Sequence, residues 1–256
     1  MGSQNQRPIE LHPLEASERE IAGYARKLRR LAAGCSIELD GEQARACVEH
    51  LLYVLQVNSY INLTRITSVD EALTLHIIDS LLFCSYAPED ASRFLDMGTG
   101  AGFPGIPFHV VSGCSGVLLD SVSKKVQAVS CIVDRLGLDG LEMVHDRLES
   151  YASAEHGGFD VVLARALAPL PTLVEYGAPF LSMGGLLIVS KGTPSEDEVA
   201  SGDEVARLCG LERVETSELS LPEDLGHRTM LVYERVGNSK VQLPRAIGMA
   251  KKSPLA

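Results

Sequence analysis

The sequence predicts an α/β fold: a Rossmann-like, mostly parallel sheet with an antiparallel terminal hairpin, preceded by a helical cap. Three observations predict it. From Arg93 onward, short apolar runs alternate with helix-length segments, the pattern of βα units. The first run ends in an acid and enters a turn with four glycines in eight residues, Gly98 to Gly105. The last two runs, 213–219 and 229–235, have no helix-length segment between them and read as an antiparallel pair.

The elements follow in order. Residues 14–87 read as helical. Leu28, Leu31 and Ala32 share one helix face that ends near Gly34. Asp40 caps a second helix with a stripe of Ala44, Val48, Leu51, Leu52 and Leu55. Residues 58–64 break it, and Ser68-Val69-Asp70-Glu71 reads as a capping box opening a third helix through His76, Asp79 and Leu82. Strands are expected at 94–97, 116–120, 141–145, 159–164 and 186–190, the last entered through a Met183-Gly184-Gly185 turn. Helices are expected at 123–136, 171–181 and 194–209. The division expected is a helical extension and cap at 1–87, a cofactor-binding domain at 88–236, and an extended basic tail at 237–256.

Composition sets limits. The chain has 256 residues, 45% of them hydrophobic, enough for one large domain or one with an appendage. No apolar run approaches membrane-spanning length, and the polar start of the chain (Met1 to Arg7) lacks a signal region, so a cytoplasmic protein with no membrane association is expected. Six scattered cysteines form no Cys-x-x-Cys pair and read as reduced thiols; no metal site is expected. Nothing calls for an obligate dimer, and a monomer is expected. Net charge is −11, which argues against nucleic acid if read as a sum. The distribution differs: residues 26–30 form a basic cluster, and beyond Glu234 the chain has Arg235, Lys240, Arg245, Lys251 and Lys252 with no acid. Two basic clusters flanking a cofactor domain are compatible with an anionic partner.

The glycine turn admits two ligands. Gly100-x-Gly102-x-x-Gly105, with Asp120 downstream, fits a dinucleotide fingerprint. Asp96, however, sits at the very end of the strand, where it would repel a pyrophosphate. It suits a cationic, amine-bearing ligand such as S-adenosylmethionine. Glycine at positions 98 and 100 allows close backbone approach, and the helix opening at Pro104-Gly105 is expected to offer unpaired N–H groups.

Ligands of open α/β sheets sit at the carboxyl ends of the strands, so the residues there are the candidates. Asp120 ends the second strand and can accept from both ribose hydroxyls, or cap the next helix. His145-Asp146-Arg147 ends the third, with Leu148-Glu149 just beyond. Arg165 ends the fourth and reads as a ligand or substrate contact. Lys191 ends the fifth and could hold a substrate phosphate. His76 and Asp79, at i, i+3 spacing, read as a structural hydrogen bond or an acid–base pair.

Taken together, these motifs closely resemble the bacterial rRNA small-subunit methyltransferase G family. The resemblance runs from about Leu51 to the C-terminus. It rests on Asn62-Leu63-Thr64, His76-Ile77-Ile78-Asp79-Ser80-Leu81, the run from Asp96 to Pro107, Asp120-Ser121-x-x-Lys124-Lys125, Arg147-x-Glu149, Arg165-Ala166, Lys191-Gly192, His227-Arg228 and Pro244-Arg245-x-x-Gly248. Leu75 stands where the family often has a basic residue, and Lys125 where arginine is usual. The resemblance implies a class I S-adenosylmethionine-dependent methyltransferase fold. It also implies transfer of a methyl group from S-adenosylmethionine to N7 of one guanine in 16S rRNA of the small ribosomal subunit. By similarity, Gly98 and Phe103 line the donor pocket with Asp96, Gly100 and Asp120, and Leu148 and Glu149 meet the adenine side. Arg165 lies at the junction of donor and substrate as the catalytic contact. Lys191, Arg228 and Arg245 are assigned to the RNA.

Overall fold

Every strand from β1 to β5 carries its apolar residues toward both faces, because helices cover the sheet on each side. The computed structural model describes residues 9–154, 157–165 and 167–256. The polar residues Met1 to Arg7 and Ala166, read above, lie outside them.

Two capped helices open the chain. Ser17 and Glu20 form a reciprocal capping box on α1 (Glu18–Gly34), and Asp40 with Gln43 does the same for α2 (Gly41–Asn58). The third expected helix is broken into unlike turns: α3 (Val69–Ala72), a π turn (Leu73–Ile78), α4 (Asp79–Leu81) and a 3₁₀ turn (Leu82–Tyr86). The α/β part follows as β1 (Arg93–Met97), α5 (Gly105–Ser112), β2 (Ser115–Asp120), α6 (Ser123–Leu136), β3 (Leu141–His145), α7 (Leu148–Ala154), β4 (Phe159–Arg165), α8 (Leu170–Gly177), β5 (Leu181–Lys191), α9 (Glu196–Cys209), β6 (Leu211–Ser220) and β7 (His227–Arg235).

The strand order is β3-β2-β1-β4-β5-β7-β6. Strands β1 to β5 pair in parallel; β7 inserts antiparallel between β5 and β6. The chain winds outward from β1 to β3, then returns to place β4 on the other side of β1. That reversal is the switch point where such sheets open a crevice.

Alternation along each strand divides the core in two. Phe94, Val161, Leu163 and Ile188 point to the face covered by α1, α2 and the turns after α3. Leu95, Met97, Val162, Ala164, Leu187 and Val189 point to the face covered by α8 and α9.

Helix α7, two residues after β3, is not foreseen by the sequence pattern. Two expectations are corrected. The Met183-Gly184-Gly185 turn lies inside β5: the register jumps from Phe159↔Leu181 to Val161↔Leu186, so these residues bulge out of a continuous strand. The tail is not extended away from the body. Ala250 is buried on the short helix α10 (Met249–Lys252), and Val241, Leu243 and Leu255 pack against the α8–α9 core. Four apolar side chains, spread among lysines, are enough to fold it back.

Candidate active site

The glycine turn is tied across the sheet. The N–H groups of Gly98 and Thr99 both donate to the Leu119 carbonyl of β2, at 2.8 and 3.0 Å. Gly98, Gly100 and Gly102 all have positive φ, +73°, +60° and +88°. A Cβ on Gly98 would lie 2.7 Å from Cδ1 of Leu167, and one on Gly102 would lie 2.6 Å from Ile106. At Gly100, among the described residues, the only neighbour within 4 Å would be the Gly98 carbonyl at 3.9 Å, so this residue marks the open side of the loop.

Asp96 is fully buried beneath the loop. Its Oδ2 accepts from the Gly105 N–H at 2.9 Å; its Oδ1 has no hydrogen-bond partner among the described residues. Burial pushes its pKa up to about 6, against the pull of the nearby Thr99 hydroxyl and the Gly105 N–H. The expected free N-terminus of α5 is therefore absent. Gly105 donates to Asp96, Ile106 to the Gly102 carbonyl and Phe108 to the Pro104 carbonyl, while Pro107 has no N–H. A pyrophosphate placed there would meet a carboxylate and no spare donors. The residues instead fit an amine-bearing donor: a buried acceptor left over on Asp96 and an open glycine face beside it.

Asp120, buried at the end of β2, does not cap α6, whose N-cap is Val122, but ties the loops on either side of it. Oδ2 accepts from Gly100 at 3.0 Å and holds the loop; Oδ1 accepts from Val122 at 2.8 Å and shapes the entry to α6. Each oxygen keeps a second lone pair for a hydroxyl donor.

Phe103 lies in a layer between the loop and the N-terminal helices. It stacks on His76 (centroids 4.7 Å, 7° between planes), contacts His50 at 4.5 Å, and sits under Arg165, whose Cζ is 5.6 Å from the ring centre. Nε2 of His50 donates to the Ala101 carbonyl at 2.9 Å, and Nε2 of His76 is 2.6 Å from the Thr64 hydroxyl. Burial pulls both histidine pKa values down to about 4, with the Arg165 charge adding to the effect at His76. Both rings are neutral at pH 7. The expected His76–Asp79 contact is not formed, because each side chain has a stronger partner elsewhere.

That partner, for Asp79, is a pair of arginines. Arg228 donates Nε to Oδ1 at 2.8 Å and Nη2 to Oδ2 at 3.1 Å; Arg165 donates Nη1 to Oδ2 at 3.1 Å. Arg165 Nη1 also faces the consecutive carbonyls of Leu75 and His76 in the π turn, each at 3.4 Å. These residues wall a cavity of about 430 Å³ together with His76, Ser190 and Lys191. Lys191 pairs with Glu198 at 2.8 Å.

The other assigned residues lie elsewhere. Leu148 is buried in the first turn of α7, and Glu149 accepts the Gly248 N–H of the tail at 2.8 Å. Arg245 is clamped in two-pronged fashion on the buried Glu175 of α8, at 2.7 and 2.6 Å, and holds the tail down. In the first basic cluster, Lys27 is likewise engaged, with Asp70 and Glu223. Sequence reasoning did not single out Asp79 as the partner of both arginines, Leu167 against Gly98, or Glu175 and Glu198 as counter-charges. Asp79 and Arg228 are 149 residues apart, beyond any local pattern.

The profile of the rRNA small subunit methyltransferase G family (GidB) matches residues 43–225. A ribosomal RNA small subunit methyltransferase G from Lactobacillus acidophilus is 31% identical over 226 residues, covering 86% of this chain and 94% of the relative. One from Carboxydothermus hydrogenoformans is 31% identical over 232 residues, covering 90% and 99%. Among solved structures, the O-methyltransferase from Bacillus cereus in complex with SAH superposes with a TM-score of 0.53 at 16% identity, covering 84% of this chain and 99% of that one. This last likeness concerns the fold, that of class I methyltransferases.

Proposed function

This chain belongs to the rRNA small subunit methyltransferase G family, and we propose that it methylates N7 of one guanine in 16S rRNA by direct in-line transfer. It is an S-adenosylmethionine-dependent rRNA methyltransferase. The small-subunit target, the N7 position and the residue roles below are our reading.

One observation carries that reading: the glycine turn at the switch point adjoins, through Phe103, Leu167 and Arg165, a cavity walled by arginines. A donor site beside a cationic acceptor site is what a polyanionic substrate requires. S-adenosylmethionine supplies an electrophilic methyl group on a positively charged sulfur. Guanine N7 carries an in-plane lone pair and no proton at neutral pH, so no base is needed to release it. The side chains agree with that economy. His50 is buried and His76 half-buried, both are neutral and packed on Phe103, and both oxygens of Asp79 are held by guanidinium groups. What remains for the chain is orientation, which accounts for roughly 7–11 kcal/mol of barrier in well-aligned reactions.

In this reading Gly98 and Gly100 give the donor close access to backbone and Asp96 and Asp120 accept its N–H and O–H groups. Leu148 and Glu149 border its adenine side. Arg165 stands between donor and acceptor, and Lys191 and Arg228 face the RNA. No helix among the described residues is long and apolar enough to cross a membrane, in keeping with the cytoplasmic location expected above. The test offers labelled S-adenosylmethionine with rRNA and bulk protein in one mixture. Label in RNA supports the reading; label in protein alone overturns it. Binding of NAD in place of S-adenosylmethionine would overturn the donor assignment as well.

A further inference from the structure

Asp79 carries more than a pairing role. It opens α4, directly after the π turn, and its side chain is only 4% exposed. Arg165 comes from the end of β4 and Arg228 from the start of β7, strands that β5 separates. A single carboxylate from the N-terminal helical region therefore fixes two guanidinium groups that the sheet alone would leave apart. The count of charges is uneven: one carboxylate faces two arginines, and Lys191 in the same cavity is matched by Glu198. One positive charge is left over at the cavity wall. Donors are left over too. Among the described residues Arg165 uses only Nη1, leaving Nε and Nη2 without partners. A fixed guanidinium with free, parallel donors is the arrangement that takes a phosphate oxygen pair.

We propose that Asp79 is a positioning residue that holds Arg165 and Arg228 as a clamp for a backbone phosphate of the acceptor RNA. This rests on the RNA methyltransferase reading above. Asp79 does not itself meet the reacting atoms, since guanidinium groups occupy both of its oxygens.

The test measures binding of 16S rRNA over a range of salt, S-adenosylmethionine affinity, and kcat and KM for transfer, for the wild type, Asp79→Asn, Arg228→Gln and the double variant. Asp79→Asn keeps the shape but loosens both arginines. RNA affinity is expected to fall on the order of tenfold or more, with KM rising, while donor affinity stays within about twofold of wild type. Arg228→Gln leaves a one-to-one Asp79–Arg165 pair, so it keeps the assay interpretable if Asp79→Asn does not fold. It should lower the steepness of the salt dependence by about one unit. The double variant should be no worse than Asp79→Asn alone. Unchanged RNA binding and salt slope in both single variants overturn the clamp, as does an equal loss of donor affinity, which marks a purely structural role. A wild-type enzyme that methylates no RNA overturns the functional reading instead; the clamp is judged on the binding isotherms.

Discussion

Lowering the pH from 7 to 5 should destabilise this protein by an amount set by two buried groups, His50 and Asp96, and the half-buried His76. His50 and His76 have folded pKa values near 4 against an ordinary 6.5. Between those values the unfolded chain binds protons that the folded chain refuses, so stability rises with pH in that window. By linkage each histidine removes about 2 kcal/mol on going from pH 7 to pH 5. Asp96 acts in the opposite sense. Its folded pKa of about 6 lies above the ordinary 3.8, so the folded chain binds a proton that the unfolded chain has released. That returns about 1 kcal/mol over the same interval, leaving a net loss of about 2–3 kcal/mol. The assay is urea unfolding followed by circular dichroism at pH 7, 6 and 5, extrapolated to water. In His50→Gln the pH 7-to-5 loss should shrink by about 2 kcal/mol, to about 1 kcal/mol or less, whatever the variant does to absolute stability. A stability that is flat or rises from pH 7 to pH 5 in the wild type would refute the view that these rings are desolvated and neutral.

Other expectations concern single residues. Gly98→Val places a side chain against Leu167 at a backbone φ of +73°. It should abolish S-adenosylmethionine binding by calorimetry while costing about 1–3 kcal/mol of stability; wild-type donor affinity would disprove the pocket assignment. Arg165→Ala should slow methyl transfer about a hundredfold with circular dichroism and donor affinity little changed; a near-wild-type rate removes Arg165 from the site. Arg245→Ala leaves Glu175 buried and unpaired. It should cost roughly 3–5 kcal/mol in urea unfolding yet leave the salt dependence of RNA binding intact, whereas a phosphate contact would do the reverse.

Local chemistry made most of the fold legible. Caps at Ser68 and Asp40, apolar strands and the glycine turn each carry their signal within a few residues, and the strands at 94–97, 116–120 and 141–145 fall within β1, β2 and β3. Periodicity fails where tertiary contacts override it. The helix through His76 is broken by a π turn whose carbonyls face an arginine 89 and 90 residues away. The Gly184-Gly185 pair reads as a turn in isolation, but strand pairing on both sides draws it into β5 as a bulge. The basic tail reads as extended because it bears prolines and lysines and has no helical or strand periodicity; Glu175, far upstream, decides where Arg245 goes. The site shows the same division. The glycines at 98 and 100 and the strand-end acids are visible as types at positions. Asp96 turning inward onto Gly105 and Asp79 binding two arginines are facts of packing, and no spacing announces them.

The most direct measurement is methyl transfer from labelled S-adenosylmethionine to small ribosomal subunits that lack N7-methylguanine, with the modified base mapped. The account predicts label at N7 of a single guanine of 16S rRNA. Label on another atom or another molecule, with the donor bound normally, would contradict it.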